Sequence, residues 1–284
     1  MKLLVIDDQF PTSLQIAQAV QDCQDCFIDW VDDPENLDRL LAGETVDLAF
    51  VDLHYGRGRA TGLTAQQIIS ESSPSTRTVI FSNEQEDNRI LLLLASFHFF
   101  QPFAMLSKSA PGEVIRAVVE AVHDGDGQLD FGDADHYRKA APLISKLIAR
   151  ENDLRIWRAL TRFSERNAVA GDSSVTPGWI STWAEEKMPI VEQIRAEFLG
   201  HQPDLPRPMP YKPPRAHIED KPEGKKTNKR GPYTAKLSPL HAFAMVHAEF
   251  FNARELDELF EERREIEATG GGRRGRLFGR RRGR

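Results

Sequence analysis

Apolar positions fall along this chain in two distinct rhythms. Within the first 110 residues they come as short unbroken runs: Leu3-Leu4-Val5-Ile6, Leu48-Ala49-Phe50-Val51, Val79-Ile80-Phe81 and Phe103-Ala104-Met105-Leu106. A run of this length without polar alternation fits a strand covered on both faces, as in a parallel sheet flanked by helices. From about residue 135 the spacing becomes helical. Leu154, Trp157, Leu160 and Phe163 define one amphipathic helix. A short polar segment, Glu165 to Val169, and a Gly/Ser loop follow. Thr176-Pro177 then starts a helix through Trp179, Ile180 and Trp183, because a capping hydroxyl precedes a proline at the first helical position. Pro189 should break that helix or begin a new one, and Ile190, Val191, Ile194 and Phe198 carry the stripe on to Gly200. The rhythm thus predicts an α/β domain followed by an all-α one.

Each of the four early runs ends on a residue with useful chemistry. The first ends on Asp7-Asp8, the second on Asp52, the third on Ser82, and the fourth beside Lys108. Ligands of open α/β sheets bind outside the carboxyl ends of the strands, so these five side chains should converge at one edge. Crowded carboxylates repel one another and raise at least one pKa unless a cation relieves them. Mg²⁺ suits such a site, since it binds through one or two carboxylates together with phosphate oxygens. Asp7, Asp8 and Asp52 are therefore the candidate metal ligands. Asp52 is also the candidate nucleophile toward phosphorus, Lys108 supplies a point charge for phosphoryl oxygens, and Ser82 a mobile hydroxyl. One Asp at a strand end is usually a helix cap or turn residue. Five suitable residues on four strand ends, in this order, outweigh that simpler reading.

These residues resemble the receiver domain of two-component response regulators, over roughly residues 1 to 123. The matching stretches are Leu3 to Asp8, Val46 to Leu53, Val79 to Ser82 and Leu106 to Val118, the last similar to the NarL/LuxR-type branch. The resemblance implies a doubly wound five-stranded parallel sheet, with Mg²⁺ held at the Asp7-Asp8 pair and Asp52, and a phosphoacceptor at Asp52. It implies a switch hydroxyl at Ser82 and a phosphate contact at Lys108, with Asn83 beside the switch position. Met105 stands where receivers carry an aromatic switch residue. Five βα units are expected, with helices capped by Thr12 or Ser13, over Asn36 to Leu41, over Thr64 to Ser70, over Ile90 to Leu94, and from Pro111. A sensor histidine kinase becomes the expected partner. The apolar cluster of Leu91 to Leu94 with Phe97, Phe99, Phe100 and Phe103 reads as core or as a homodimer face. The family usually adds a DNA-binding helix-turn-helix, and residues 135–200 can be read as a diverged one. Its presumed recognition helix offers Ser181, Thr182 and Lys187, but also Glu185 and Glu186, which repel phosphates.

The chain of 284 residues is long enough for two cores. The expected layout is a receiver (1–123), a linker (124–134), a helical output region (135–200), a Pro/Lys/Arg-rich linker (201–237), one amphipathic helix (238–268) and an Arg/Gly-rich tail (269–284). Charge is unevenly spread. Residues 1–123 carry 8 Lys/Arg against 18 Asp/Glu, whereas 201–284 carry 19 against 12, so a polyanion would meet the tail and not the head. Arg273, Arg274, Arg276, Arg280, Arg281 and Arg282 on a Gly-rich segment make a non-specific DNA-binding candidate. No apolar stretch approaches the roughly 20 residues that span a bilayer, and no signal peptide is legible, so a cytoplasmic protein is expected. Cys23 and Cys26 are read as two ordinary thiols, since a single CxxC cannot complete a zinc site. No Gly-rich phosphate loop or Ser/His/Asp arrangement points to an enzyme. The leading expectation is a phosphorylation-controlled transcription regulator. The alternative is a signalling adaptor that binds a protein partner without specific DNA binding.

Overall fold

The computed structural model describes residues 1–23, 25–43, 45–56, 60–83, 89–125, 134–199 and 233–268. The expected contacts of Arg273, Arg274, Arg276, Arg280, Arg281 and Arg282, and most of the two linkers, lie outside them. The chain divides into two units: Met1–Ile144 together with the segment from Asn252 onward, and Ser145–Phe251.

The first unit is built on five parallel strands: β1 (Lys2–Ile6), β2 (Phe27–Val31), β3 (Leu48–Val51), β4 (Arg77–Ser82) and β5 (Ala104–Ser107), in the order β2-β1-β3-β4-β5. Side chains alternate across each strand, so every apolar run feeds two cores. Leu3, Val5, Leu48, Phe50, Val79 and Phe81 face one side, packed with Ile16 and Ala19 of α1 (Phe10–Ala19) and Ile115 and Val118 of α5 (Gly112–His123). Leu4, Ile6, Ala49 and Val51 face the other, against Leu37 and Leu41 of α2 (Leu37–Leu41) and Ala65 and Ile69 of α3 (Gly62–Ser72). The sequence therefore shows unbroken apolar runs because neither face meets water.

The helix after β4, α4 (Ile90–Phe99), is buried almost from end to end. Two further elements of the same unit cover it. Tyr137 of α6 (Ala134–Ala140) stacks on Phe97, ring centroids 6.1 Å apart. Phe260 of α13 (Leu256–Ala268) meets Phe99 edge-on at 5.1 Å. The apolar cluster around α4 is thus interior, covered by the chain itself and in no need of a second subunit.

The second unit holds α8 (Glu151–Leu160), α9 (Arg166–Asp172), α10 (Pro177–Ile194), α11 (Tyr233–Val246) and α12 (Ala248–Asn252), the short α7 (Leu143–Leu147) lying at the junction. Trp157 is its centre, stacked on Phe251 at 4.8 Å and met edge-on by Trp183 at 4.9 Å. Thr176 caps α10 as expected, its hydroxyl accepting from Trp179 N.

Several expectations are corrected. Gln9, not Thr12 or Ser13, precedes α1, and both hydroxyl residues are buried within the helix. The α10 helix runs straight through Pro189, because Trp183, Lys187, Val191 and Ile194 bury one continuous face while Pro189 sits on the exposed side. That burial outweighs a penalty of about 3 kcal/mol for an interior proline. The segment 238–268 is not one helix but parts of three, since its apolar residues serve two different cores. Cys23 and Cys26 form a disulfide rather than two free thiols.

Candidate functional site

Four strand ends bring the chemistry together. Asp7 follows β1, and its backbone N donates to Val31 O while Asp52 N donates to Ile6 O. The parallel ladder therefore carries both carboxylates to the same edge at the same height. Asp7, Asp8 and Asp52 offer oxygens that all lie within 4.8 Å of one another. Asp8 is steered by Gly56 N, which donates to its Oδ2 at 2.8 Å. Asp7 Oδ1 accepts from Gln9 N at 2.8 Å, while its buried Oδ2 faces the Lys108 ammonium.

Lys108, just past β5, places Nζ 2.7 Å from both Asp7 Oδ2 and Asp52 Oδ2. Its backbone N donates to Ser82 O, and Gln15 Nε2 donates to its carbonyl at 2.9 Å, which fixes the base of the side chain. On the other oxygen of Asp52, Oδ1 accepts from Ser82 Oγ at 2.8 Å and from Leu53 N at 2.7 Å. Asp52 is 3% exposed and Ser82 1%, so these contacts act away from bulk solvent, where charge interactions are strong.

Burial pushes the Asp7 carboxyl above its ordinary range, and the hydrogen bond and charge of Lys108 offset this only in part. For Lys108, burial pulls the other way but is overcome by the Asp52 charge and by hydrogen bonds to Asp52 and Asp7, so its pKa is raised. Tyr55, whose hydroxyl donates to Ile6 O at 3.2 Å, is held well above its usual range, first by burial and then by the Asp52 charge. A divalent cation suits this donor set: three carboxylates converge within 4.8 Å of one another, and the single Lys108 ammonium between Asp7 and Asp52 leaves oxygens of the cluster free to take a hard cation.

No family model matches the chain, and no curated protein matches it. Solved structures do. A complex of the two-component response regulator RcsB with DNA aligns over 72% of this chain and 94% of its own, at 14% identity and a TM-score of 0.50. The RcsB response regulator of Salmonella typhimurium covers 72% and 95%, at 14% identity and 0.49. The isolated REC domain of RcsB from Salmonella enterica serovar Typhimurium, solved with the phosphomimetic BeF₃⁻, covers 48% and 97%, at 15% identity and 0.41. The fold of the first unit is that of a receiver.

Within this fold the structure unites Asp7, Asp8, Asp52, Ser82 and Lys108, all expected from the strand ends. Asn83 follows Ser82 and is exposed, and Met105 is wholly buried. Two further residues belong to the neighbourhood. Arg89, 6% exposed, donates from Nη1 to Ser82 Oγ at 2.6 Å and lies 3.6 Å from Asp52 Oδ1. Its only signal in the sequence is a lone arginine between an acidic stretch and an apolar helix. Glu255, 4% exposed, accepts from Thr61 Oγ1 at 2.5 Å and Thr64 Oγ1 at 3.0 Å, where Thr61 caps α3 just beyond Asp52. Nothing in the sequence pairs positions so far apart.

The expected DNA-contacting residues are not equivalent. Thr182 is exposed, and Ser181 is half-buried, its hydroxyl bonded to Pro177 O. Lys187 is corrected: it is fully buried, 2.8 Å from Asp153 Oδ2 and donating to Lys146 O at 2.8 Å. An ammonium engaged in this way inside the second unit is not presented to a phosphate.

Proposed function

We propose that this protein is a response regulator phosphorylated on Asp52 by a sensor histidine kinase and that it controls transcription through DNA binding by the C-terminal part. The reading rests on one observation above all: Asp52, buried at the sheet edge, is met by Lys108 on one oxygen and Ser82 on the other, with Asp7 and Asp8 converging beside it. An Asp52 oxygen attacks phosphorus as the bond from phosphorus to the donor histidine nitrogen breaks, and that nitrogen keeps the electron pair. Asp7, Asp8 and Asp52 would hold Mg²⁺, which supplies charge neutralisation for the transferring group. Lys108 takes a phosphoryl oxygen as the bonds to Asp52 rearrange, and the Ser82 hydroxyl turns from Asp52 Oδ1 toward the new acceptors. The protein acts in the cytoplasm and catalyses no reaction beyond its own phosphorylation and dephosphorylation. Among the described residues no helix is long and apolar enough to cross a membrane.

DNA contact is supported by the receiver-then-helices order, by a solved neighbour that is a response regulator bound to DNA, and by the arginine-rich tail. Homodimerisation is proposed with it. A second reading, an adaptor acting on a protein partner, is favoured by the burial of Lys187 and by the exposed Glu185 and Glu186 on α10. The test of the phosphoacceptor is modification by acetyl phosphate with Mg²⁺. The wild type gains one phosphoryl group per chain and Asp52→Asn gains none; equal incorporation by both refutes the assignment. Electrophoretic shift on genomic fragments at two salt concentrations separates the two output readings. Absence of any shift at low salt selects the adaptor.

A further inference from the structure

We infer that Arg89 is a second phosphoryl-contacting cation of this pocket and the residue through which the state of Asp52 reaches α4. The inference rests on the reading of Asp52 as the phosphoacceptor. Around Asp52 two positive charges approach from different elements onto different oxygens. Lys108, from the end of β5, is 2.7 Å from Oδ2, whereas Arg89 stands 3.6 Å from Oδ1 on the far side. Between Arg89 and Asp52 lies Ser82: Arg89 Nη1 donates to Ser82 Oγ at 2.6 Å, and that hydroxyl donates to Asp52 Oδ1 at 2.8 Å. The unmodified carboxylate is thus read through one relay hydroxyl.

A phosphoryl group on Asp52 changes the demand on every member of that relay. The phosphoryl group carries about −1.5 to −2 where the carboxylate carried −1, and it brings three strong acceptor oxygens further into the pocket. The pocket sets Asp7, Asp8 and Asp52 against Lys108 and Arg89, so Arg89 adds a positive charge on the Oδ1 side, away from Lys108 and from the carboxylates that would hold Mg²⁺. Guanidinium suits the task better than ammonium, because its planar fork can grip two phosphoryl oxygens while remaining charged at any working pH. The Arg89 side chain is 8% exposed, so the contact forms with little competition from water.

The place of Arg89 in the fold gives the contact a consequence. It occupies the N-cap position of α4, whose residues Ile90 to His98 are all buried, and whose far end carries Phe97 against Tyr137 and Phe99 against Phe260. A pull on the first residue of a helix so tightly held moves the helix as a body and not as a frayed end. Arg89 therefore joins the phosphoryl site to the elements that cover α4.

The experiment uses the full-length protein with Mg²⁺ and BeF₃⁻, comparing wild type with Arg89→Gln, which keeps donors but loses the charge and the fork. BeF₃⁻ affinity falls about 10- to 100-fold in Arg89→Gln, the loss appropriate to a charge-assisted hydrogen bond. Hydrogen exchange across Ile90–Phe99 shifts on BeF₃⁻ addition in the wild type and stays still in Arg89→Gln at saturating BeF₃⁻. Wild-type affinity in the variant, or an α4 response of undiminished size, overturns the inference while leaving the phosphoacceptor reading intact. Failure of the wild type itself to bind BeF₃⁻ overturns both. Should Arg89→Gln not fold, NMR of the Arg89 guanidinium protons in the unaltered protein decides: they gain protection with BeF₃⁻ if the contact forms, and unchanged signals reject it.

Discussion

Replacing Lys187 by methionine should destabilise the second unit by about 3 kcal/mol. Lys187 and Asp153 are both wholly shielded from solvent and 2.8 Å apart. At an effective dielectric constant of 20, that separation corresponds to an attraction of about 6 kcal/mol, largely cancelled by the desolvation of both charges. Methionine keeps the volume but leaves the carboxylate only the half-exposed Arg150 guanidinium, Nε 3.5 Å from Oδ1, as counter-charge, and losing one member of a buried pair costs about 3–5 kcal/mol. Asp153 retains Trp183 Nε1 at 3.0 Å, Ala149 N at 2.9 Å and Arg150 N at 3.1 Å, which places the loss at the lower end of that range. With a urea dependence of about 2 kcal/mol per molar, the unfolding midpoint drops by about 1.5 M. Trp157, Trp179 and Trp183 all lie in this unit, so tryptophan fluorescence in a Trp30→Phe background follows its unfolding. The double variant Asp153→Asn with Lys187→Met should recover part of the loss, since no lone charge is left inside. A midpoint shift under about 0.5 M would refute the reasoning, and a salt dependence of DNA binding lowered by about one phosphate contact would return Lys187 to a surface role.

Three further outcomes concern the first unit. Asp7 has a raised pKa, so its contribution to metal-free stability is full below its ordinary value of 3.8 and is lost as pH climbs through the raised one. Lys108 titrates only above 10.5 and leaves this window untouched. The rise in melting temperature on adding Mg²⁺ should therefore grow as pH climbs from 3.8 through the raised value, and a shift independent of pH over that climb would contradict it. Gly62→Ala would set a Cβ 2.5 Å from the Asp52 carbonyl oxygen and 2.8 Å from Leu53 Cα. It should lose about 1–3 kcal/mol in thermal unfolding and slow acetyl phosphate labelling of Asp52. Thr61→Val removes the α3 cap and one of two hydroxyl donors to buried Glu255, so a loss of about 2–3 kcal/mol is expected, with faster hydrogen exchange across Leu256–Ala268.

What the sequence made legible was whatever depends on short range or on strict alternation. Unbroken runs such as Leu3 to Ile6 fixed the strands, and the residue ending each run fell into the pocket because parallel pairing aligns strand ends. What escaped depends on partners far along the chain. Lys187 looks like a surface cation until Asp153, on a different helix, is seen to lie against it. Glu255 sits in a charge-rich stretch that reads as solvated, yet it is bonded to hydroxyls almost two hundred positions earlier. Pro189 reads as a helix breaker for a related reason, since local propensity cannot weigh a buried face running past it. The α4 run was ambiguous between core and interface because hydropathy records that a surface is covered, and not by what.

The membership of Asn252–Ala268 in the first unit sets an order of events at the ribosome. Residues synthesised after the whole of Ser145–Phe251 complete the unit begun before it. Phe99, Thr61 and Thr64 emerge early but must wait for Phe260 and Glu255 until all of Ser145–Phe251 has been made. At ordinary elongation rates that interval is on the order of 10 s, long enough for a chaperone to visit the uncovered flank of α4. A nascent chain stopped near residue 125 would carry that greasy flank permanently, so a clone cut at the apparent end of the receiver is the one most prone to precipitate.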